Sequence, residues 1–186
     1  MQTDPNDHVA TLKHTFASFS RMENLIPLLV DALIVTTVGA CTLGILLPPL
    51  MLGYSAMCLR ALRGQPISVG DSFQGMQRFG ASLVLGLLVL AATLVGGLAL
   101  GVGALIASFC LSYVFFVQAD RPELGAVDIA TESFRLVREH LVETAVLWAV
   151  GLVLGSLLAV TAVGSIAVFA YCTLLTAVLY RRFTGR

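Results

Sequence analysis

Charge is the scarce ingredient of this sequence. Only 12% of its 186 residues are Asp, Glu, Lys or Arg, against roughly 25% in ordinary soluble domains. Between Phe79 and Ala119 there is no charged side chain at all. That excludes a solvated globular surface over the stretch. At about 1.5 Å per helical residue the run reaches roughly 60 Å, twice the ~30 Å hydrocarbon core of a bilayer. One helix has no use for such length, whereas two crossings do.

Other absences narrow the reading further. The start, MQTDPNDH, has no basic region ahead of a short apolar core, so no removable signal peptide is expected there. The four cysteines (Cys41, Cys58, Cys110, Cys172) lie inside apolar runs without metal-ligand spacing, and read as buried thiols. The three histidines (His8, His14, His140) all fall outside the apolar runs, so no Ser/His dyad is available within the core. His140 and Glu143, at i and i+3, have the separation of a metal-ligand or acid/base pair on one helix face. The carboxylate-bridged sites of helical bundles need a second copy, and none exists. The pair is read as interfacial, at the start of the fifth helix. No catalytic, cofactor or metal residues are assigned, no cofactor is expected, and no basic footprint for nucleic acid is present.

What the sequence does have is apolar: 58% hydrophobic residues and a mean hydropathy of +0.92. Besides 80–119, two further blocks have the same form. Asn24 to Leu59 contains Asp31 as its only charge, and Thr144 to Tyr180 contains none. Each is long enough for two crossings. Glycines mark the reversals, at Gly39 to Gly44, at Gly96, Gly97, Gly101 and Gly103, and at Thr161 to Gly164. The prediction is an all-α polytopic membrane protein of six transmembrane helices, arranged as three hairpins in one membrane domain. Its segments are 1–23 (N-terminal amphipathic segment), 24–63 (hairpin 1), 64–79 (loop and helix), 80–119 (hairpin 2), 120–140 (loop and helix), 141–182 (hairpin 3) and 183–186 (tail). The runs lack the period-two polarity of a membrane barrel.

All eleven basic residues fall in the tails, the two longer loops or the adjoining helix ends, and none in the hairpin turns. By the positive-inside rule both termini and both longer loops are cytoplasmic, which places the chain in a bacterial inner membrane.

Four landmarks recur in order. Phe16, Phe73 and Phe134 are followed four or five residues later by Arg21, Arg78 and Arg138. Gly44, Gly103 and Gly164 follow, and then Arg63, Arg121 and Arg182. The spacing predicts a pseudo-threefold repeat, each unit a short amphipathic surface helix, an outward helix, a glycine turn and a return helix ending in arginine. Val9, Leu12, Phe16 and Phe19 share one helical face, as do Ala130, Phe134, Val137 and Leu141. Asp71 and Asp128 are expected to N-cap the second and third surface helices. Ordinary connecting helices packed on the bundle would give the same interfacial placement.

Gly53, Arg60, Arg63, Gly64, Pro66, Asp71, Phe73, Gly75 and Phe79, with Asp120, Pro122, Ala130, Ser133 and Phe134, carry a resemblance. The pattern resembles that of uncharacterised bacterial six-helix membrane proteins, a group related to the membrane domain attached to some glycerophosphodiester phosphodiesterases. It covers roughly residues 15 to 182 and implies a topology without an activity. No hydrolase domain lies within these residues, so phosphodiesterase chemistry is not carried over.

Two functions remain. One is a non-enzymatic membrane module that packs laterally with lipid, with itself or with a membrane-protein partner. The small-residue spacings Gly97-xxx-Gly101, Gly103-xxx-Ala107 and Gly151-xxx-Gly155 suit it. The other is a small-solute transporter or channel with Asp31, Tyr54, Tyr113 and Tyr171 along the path. One deep carboxylate is little buried charge for an ion path, which favours the module. Asp31 lies about 10 Å into the apolar layer, where an ionised Asp costs roughly 2.5 to 3.5 kcal/mol. It is therefore expected to face the bundle interior, either protonated or hydrogen-bonded by Tyr, Ser or Thr hydroxyls of neighbouring helices.

Overall fold

A computed structural model describes residues 22–42, 44–98, 102–158 and 162–185. The described residues are helical, with no strand among them. In chain order they form α1 (Met22–Cys41), α2 (Leu47–Leu62), a 3-10 helix (Asp71–Arg78), α3 (Phe79–Leu98), α4 (Val102–Cys110), α5 (Val114–Asp120), α6 (Ala126–Glu139), α7 (Leu141–Leu158) and α8 (Ala162–Thr184). Three stretches are long and apolar enough to cross a membrane: Asp71–Leu98, Gly103–Asp120 and Gly164–Thr184. Leu25–Cys41 and Leu141–Ser156 are shorter apolar helices. The segment before residue 22, with Phe16, Arg21 and the Val9, Leu12, Phe19 face, lies outside the described residues, as do Gly101 and Thr161.

Layering follows hairpin geometry. α2, α5 and α8, each the second arm of its hairpin, share the core: Tyr54, Met57 and Cys58 from α2, Val114, Phe116 and Val117 from α5, and Ala170, Leu174 and Tyr180 from α8. α1 packs on α2 and α8, α3 on α2, and α7 on α8. The outer arms present large apolar side chains outward, including Leu87, Leu94 and Val95 on α3 and Leu152 and Val153 on α7. An exposed apolar belt of this extent is what a bilayer covers.

Local chemistry explains the boundaries. α2 starts on Pro48 and Pro49, tolerated there because first-turn N–H groups have no helical partner. Gly44 reverses the chain before α2 at a φ of 84°, open to glycine without a Cβ penalty. At the second reversal the α3 and α4 backbones touch at Gly96 and Gly103, where a Cβ on either would overlap the other's main chain.

One departure from the hydropathy pattern is instructive. The uncharged run predicts a continuous second arm for hairpin 2, yet α4 and α5 are separated by a tight turn at residues 111–113. A side chain is inserted into the ladder. Ser133 Oγ of α6 accepts the Tyr113 N–H at 3.2 Å and donates to the Cys110 carbonyl at 2.9 Å. Ser112 Oγ takes the Phe109 carbonyl at 2.7 Å, the acceptor that the Tyr113 N–H would use in an unbroken helix. A hydroxyl placed between the ladder's donor and acceptor is an established cause of helix kinks.

Candidate functional site

Asp31 is the point from which a site can be built, because it is charged, sits in the middle of α1 and is 0% exposed. Its partners come from an unexpected source. Oδ1 accepts the backbone N–H of Gly70 at 2.6 Å and Oδ2 accepts that of Ser72 at 3.1 Å. Gly70 can aim its N–H this way because it adopts φ 89°, in the left-handed region where glycine pays no steric cost. The carboxylate thus caps the 3-10 helix from a different segment of the chain, 39 and 41 residues away. The sequence leaves Asp31 either protonated or bonded by hydroxyls of neighbouring helices. The structure supplies main-chain donors instead, because the 64–79 segment folds back against α1.

This arrangement also displaces the expected role of Asp71. The residue at the N-cap is Gly70, and Asp71 stands in the first turn. Its Oδ2 accepts the Ser68 N–H at 3.0 Å and lies 3.1 Å from Arg60 Nη2, while Oδ1 accepts from Gln74 at 2.9 Å. Asp71 therefore closes the preceding turn and ties it to the end of α2. Asp128 likewise stands inside the first turn of α6, with Gly125 at the N-cap.

The 3-10 helix reaches Asp31 only because two glycines let it lie directly on α2. A Cβ at Gly53 would overlap the Ser72 carbonyl, and one at Gly75 would overlap the Pro49 carbonyl. Side chains at either position would lift the 3-10 helix off α2 and carry the Gly70 and Ser72 amides away from Asp31.

The three tyrosines at similar places on the inner arms do not converge on one path. Tyr54 is buried, its hydroxyl donating to the Leu28 carbonyl at 3.1 Å and its ring stacked on Phe169 at 5.6 Å. Tyr113 is buried with its hydroxyl 3.2 Å from Thr144 Oγ1. Tyr171 is half-buried. Of the three, only Tyr54 adjoins Asp31, through the turn of α1 that carries both Leu28 and Asp31.

His140 and Glu143 fall on two helices. His140 ends α6, with its ring stacked on Phe183 at 3.7 Å, and Glu143 lies in the first turn of α7. The helix boundary at His140 breaks the shared face that their spacing predicts. Among the described residues no group of three or more His, Cys, Asp or Glu could hold a metal ion.

The arginine-rich ends of the inner helices meet. Arg63 pairs with Asp120 at 3.1 Å, Tyr180 donates to the same carboxylate at 3.3 Å, and Arg181 donates to the Leu62 carbonyl at 2.7 Å. The ends of α2, α5 and α8 are thus fastened together. Of the expected interfacial residues, Phe73 is 46% and Phe134 is 51% exposed, and Arg78 and Arg138 are exposed beside them.

Two grooves open on the flanks, and Asp31 lines neither. One of about 550 Å³, between α2 and α3, is lined by residues such as Pro48, Met51, Gly86, Leu90 and Phe115. The other, of about 360 Å³, lies along α4, α7 and α8 and holds Ser108, Ser112, Trp148 and Thr176. Its polar atoms are engaged locally: Trp148 Nε1 donates to Ser112 Oγ at 2.9 Å and Thr176 to the Cys172 carbonyl at 2.8 Å.

Gly53, Gly75 and Ser133 carry this geometry, and as a set they are small residues inside otherwise bulky helices. That is the sequence signal for close approach, although it does not say which backbone approaches. No family model, curated protein or solved structure matches the chain.

Proposed function

We propose that this protein is a six-span, non-enzymatic membrane module whose work is done by its surfaces, packing with lipid, with itself or with a membrane-protein partner, and that Asp31 is its internal fastener. The observation that carries this reading is the engagement of Asp31: each carboxylate oxygen accepts a main-chain N–H group. A carboxylate so engaged gives up charge-assisted bonds worth roughly 1.5 to 3 kcal/mol each before it can take a solute or ion. Tyr54 and Cys58 of α2 are themselves buried. The outward apolar belt and the two flank grooves are where such a module meets its surroundings.

Six crossings are supported by the pairing of an outer and an inner arm in each hairpin, and the threefold repeat by the meeting of all three inner arms at Arg63, Asp120 and Arg181. With both termini and both long loops cytoplasmic, single cysteines at Gln65, Glu123 and Arg186, in a background without the four native thiols, are shielded from an impermeant thiol reagent in intact cells, and one at Gly97 reacts. Labelling at Glu123 from outside removes the six-span reading. In proteoliposomes the same protein leaves solute and proton permeability at the level of protein-free vesicles, with Asp31→Asn making no difference. A flux that Asp31→Asn abolishes would replace the module with a transporter.

A further inference from the structure

The described arginines divide into two groups. Arg60, Arg63, Arg121 and Arg135 pair with Asp71, Asp120, Glu132 and, for Arg135, both Glu132 and Glu139. Arg181 bonds a main-chain carbonyl and Arg182 is also engaged. Arg78 and Arg138 have no acidic or carbonyl partner among the described residues, and both are exposed. These two stand at matching places. Each follows an exposed phenylalanine, Phe73 or Phe134, and each stands one to three residues before an apolar helix, α3 beginning at Phe79 and α7 at Leu141.

The surroundings match as well. Val69, Phe73 and Met76, at i, i+4 and i+7, are all exposed on the 3-10 helix and the turn before it, while Val127, Phe134 and Leu141 are exposed along and just beyond α6. The buried faces of these elements are different residues: Ser72 and Gly75 in the first, Ile129, Ser133, Leu136 and Val137 in the second. Both connecting elements thus have a bundle face and, separately, an apolar face left exposed among the described residues. The Arg63 to Asp120 pair brings the two preceding helix ends together, so the two apolar faces and their free cations lie at the same end of the molecule, where the membrane-crossing helices begin.

An apolar stripe with an uncompensated guanidinium at the mouth of an apolar helix has a chemical complement: a phosphate above hydrocarbon. Guanidinium matches a phosphate with two parallel N–H bonds, and a phenylalanine four or five residues before it suits the boundary between headgroup and acyl chain. We propose that Arg78 and Arg138 form two equivalent docking sites for the headgroup phosphate of an anionic phospholipid, with Phe73 and Phe134 seated in the acyl layer beneath. The inference deepens the membrane-module reading and rests on it.

The test places Phe73→Trp or Phe134→Trp in a Trp148→Phe background, with the full chain in nanodiscs, and reads quenching by brominated phosphatidylglycerol against brominated phosphatidylcholine at equal mole fraction. The anionic lipid quenches in excess. Arg78→Gln removes the excess at position 73 and Arg138→Gln removes it at position 134, a loss of about fivefold in local enrichment per arginine. The Lys variants keep most of it, because the charge persists. Arg135→Gln, which alters a paired arginine, leaves both excesses intact, and inorganic phosphate in the buffer does not compete. Equal quenching by the two lipids, an excess indifferent to the Gln variants, or displacement by inorganic phosphate overturns the phosphate sites while leaving the module standing. Absence of quenching by either lipid overturns the interfacial placement, and the module reading with it.

Discussion

The two elements that link the hairpins do the same job by opposite means. The 3-10 helix Asp71–Arg78 is laid directly on α2, glycine against main chain at Gly53 and Gly75, and is held by the carboxylate of Asp31. The helix it rests on stays continuous. α6 has no such close approach. Where the first linker has Gly75, the matching residue by the Phe73 and Phe134 alignment is Leu136, buried at 4% exposure, and the contact is made by the Ser133 hydroxyl, which enters the ladder and splits α4 from α5. Ser72 and Ser133 each stand one residue before the phenylalanines of that alignment. Ser72 works through its backbone, N–H to Asp31 and carbonyl beside Gly53, and its own Oγ has no hydrogen-bond partner. Ser133 works through its side chain. The lesson is that a small residue seats a linker in either of two ways, by vanishing or by bonding, and the opposite residue decides which.

This contrast sets the order of expected effects. The largest belongs to Gly53→Ala, because its Cβ overlaps a backbone carbonyl that no rotamer change can move. A loss of about 3 kcal/mol is expected, read as a fall in the unfolding midpoint in nanodiscs. Ser112→Ala, at the matching position of hairpin 2, costs less than ~1 kcal/mol, since the turn it leaves keeps the Ser133 bridge. If the two cost the same, the linkers are not seated differently.

Asp31→Ala comes next. It strands two N–H groups, Ser72's fully buried and Gly70's open enough for water to replace part of the lost bond, for a total of about 2 kcal/mol. Asp31→Asn falls between parent and Ala, because an amide offers one oxygen where the two donors use both. An Asn as stable as the parent would mean that only one of the two bonds counts.

Ser133→Ala is smaller, about 1 kcal/mol, because the Tyr113 N–H and the Cys110 carbonyl are free to re-pair along a straightened helix. Helicity at residues 111–113 should rise in the variant, visible as slower amide exchange at Tyr113. Faster exchange there would show that the hydroxyl holds the turn rather than causing it. The smallest effect is Tyr54→Phe, which removes one bond to the Leu28 carbonyl and keeps the ring on Phe169. It should cost about 0.5 kcal/mol, the low end for a single neutral hydrogen bond, and leave the Asp31 latch in place.

Much of this was written in the side chains. Uncharged length marks the apolar helices, glycine marks Gly44 and the Gly96 to Gly103 reversal, and the cost of a deep carboxylate turns Asp31 inward. What side chains do not encode is the main chain's own chemistry. Asp31 takes its donors from Gly70 and Ser72, whose N–H groups every sequence position except proline also has. For the same reason Asp71 reads as a cap, while the cap is delivered from α1. The break at 111–113 is hidden because Ser112 and Ser133 are unremarkable in hydropathy, and Ser133 acts only when α6 brings it to Tyr113, 20 residues away. His140 and Glu143 read as one face because spacing alone cannot show that α6 ends at Glu139 and α7 begins at Leu141. Spacing puts Phe134 and Val137 on one face, yet Phe134 is exposed and Val137 buried; that Arg78 and Arg138 have no acidic partner among the described residues required the positions of the described acids.

The central claim is that Asp31 fastens the linker and does not serve a path. Amide hydrogen exchange at Gly70 and Ser72, in lipid nanodiscs, tests it most directly. In the parent both amides exchange slowly. In Asp31→Ala both become fast while Tyr113 and the core of α5 stay protected, with Asp31→Asn intermediate. Unchanged slow exchange at Gly70 and Ser72 in Asp31→Ala would contradict the account.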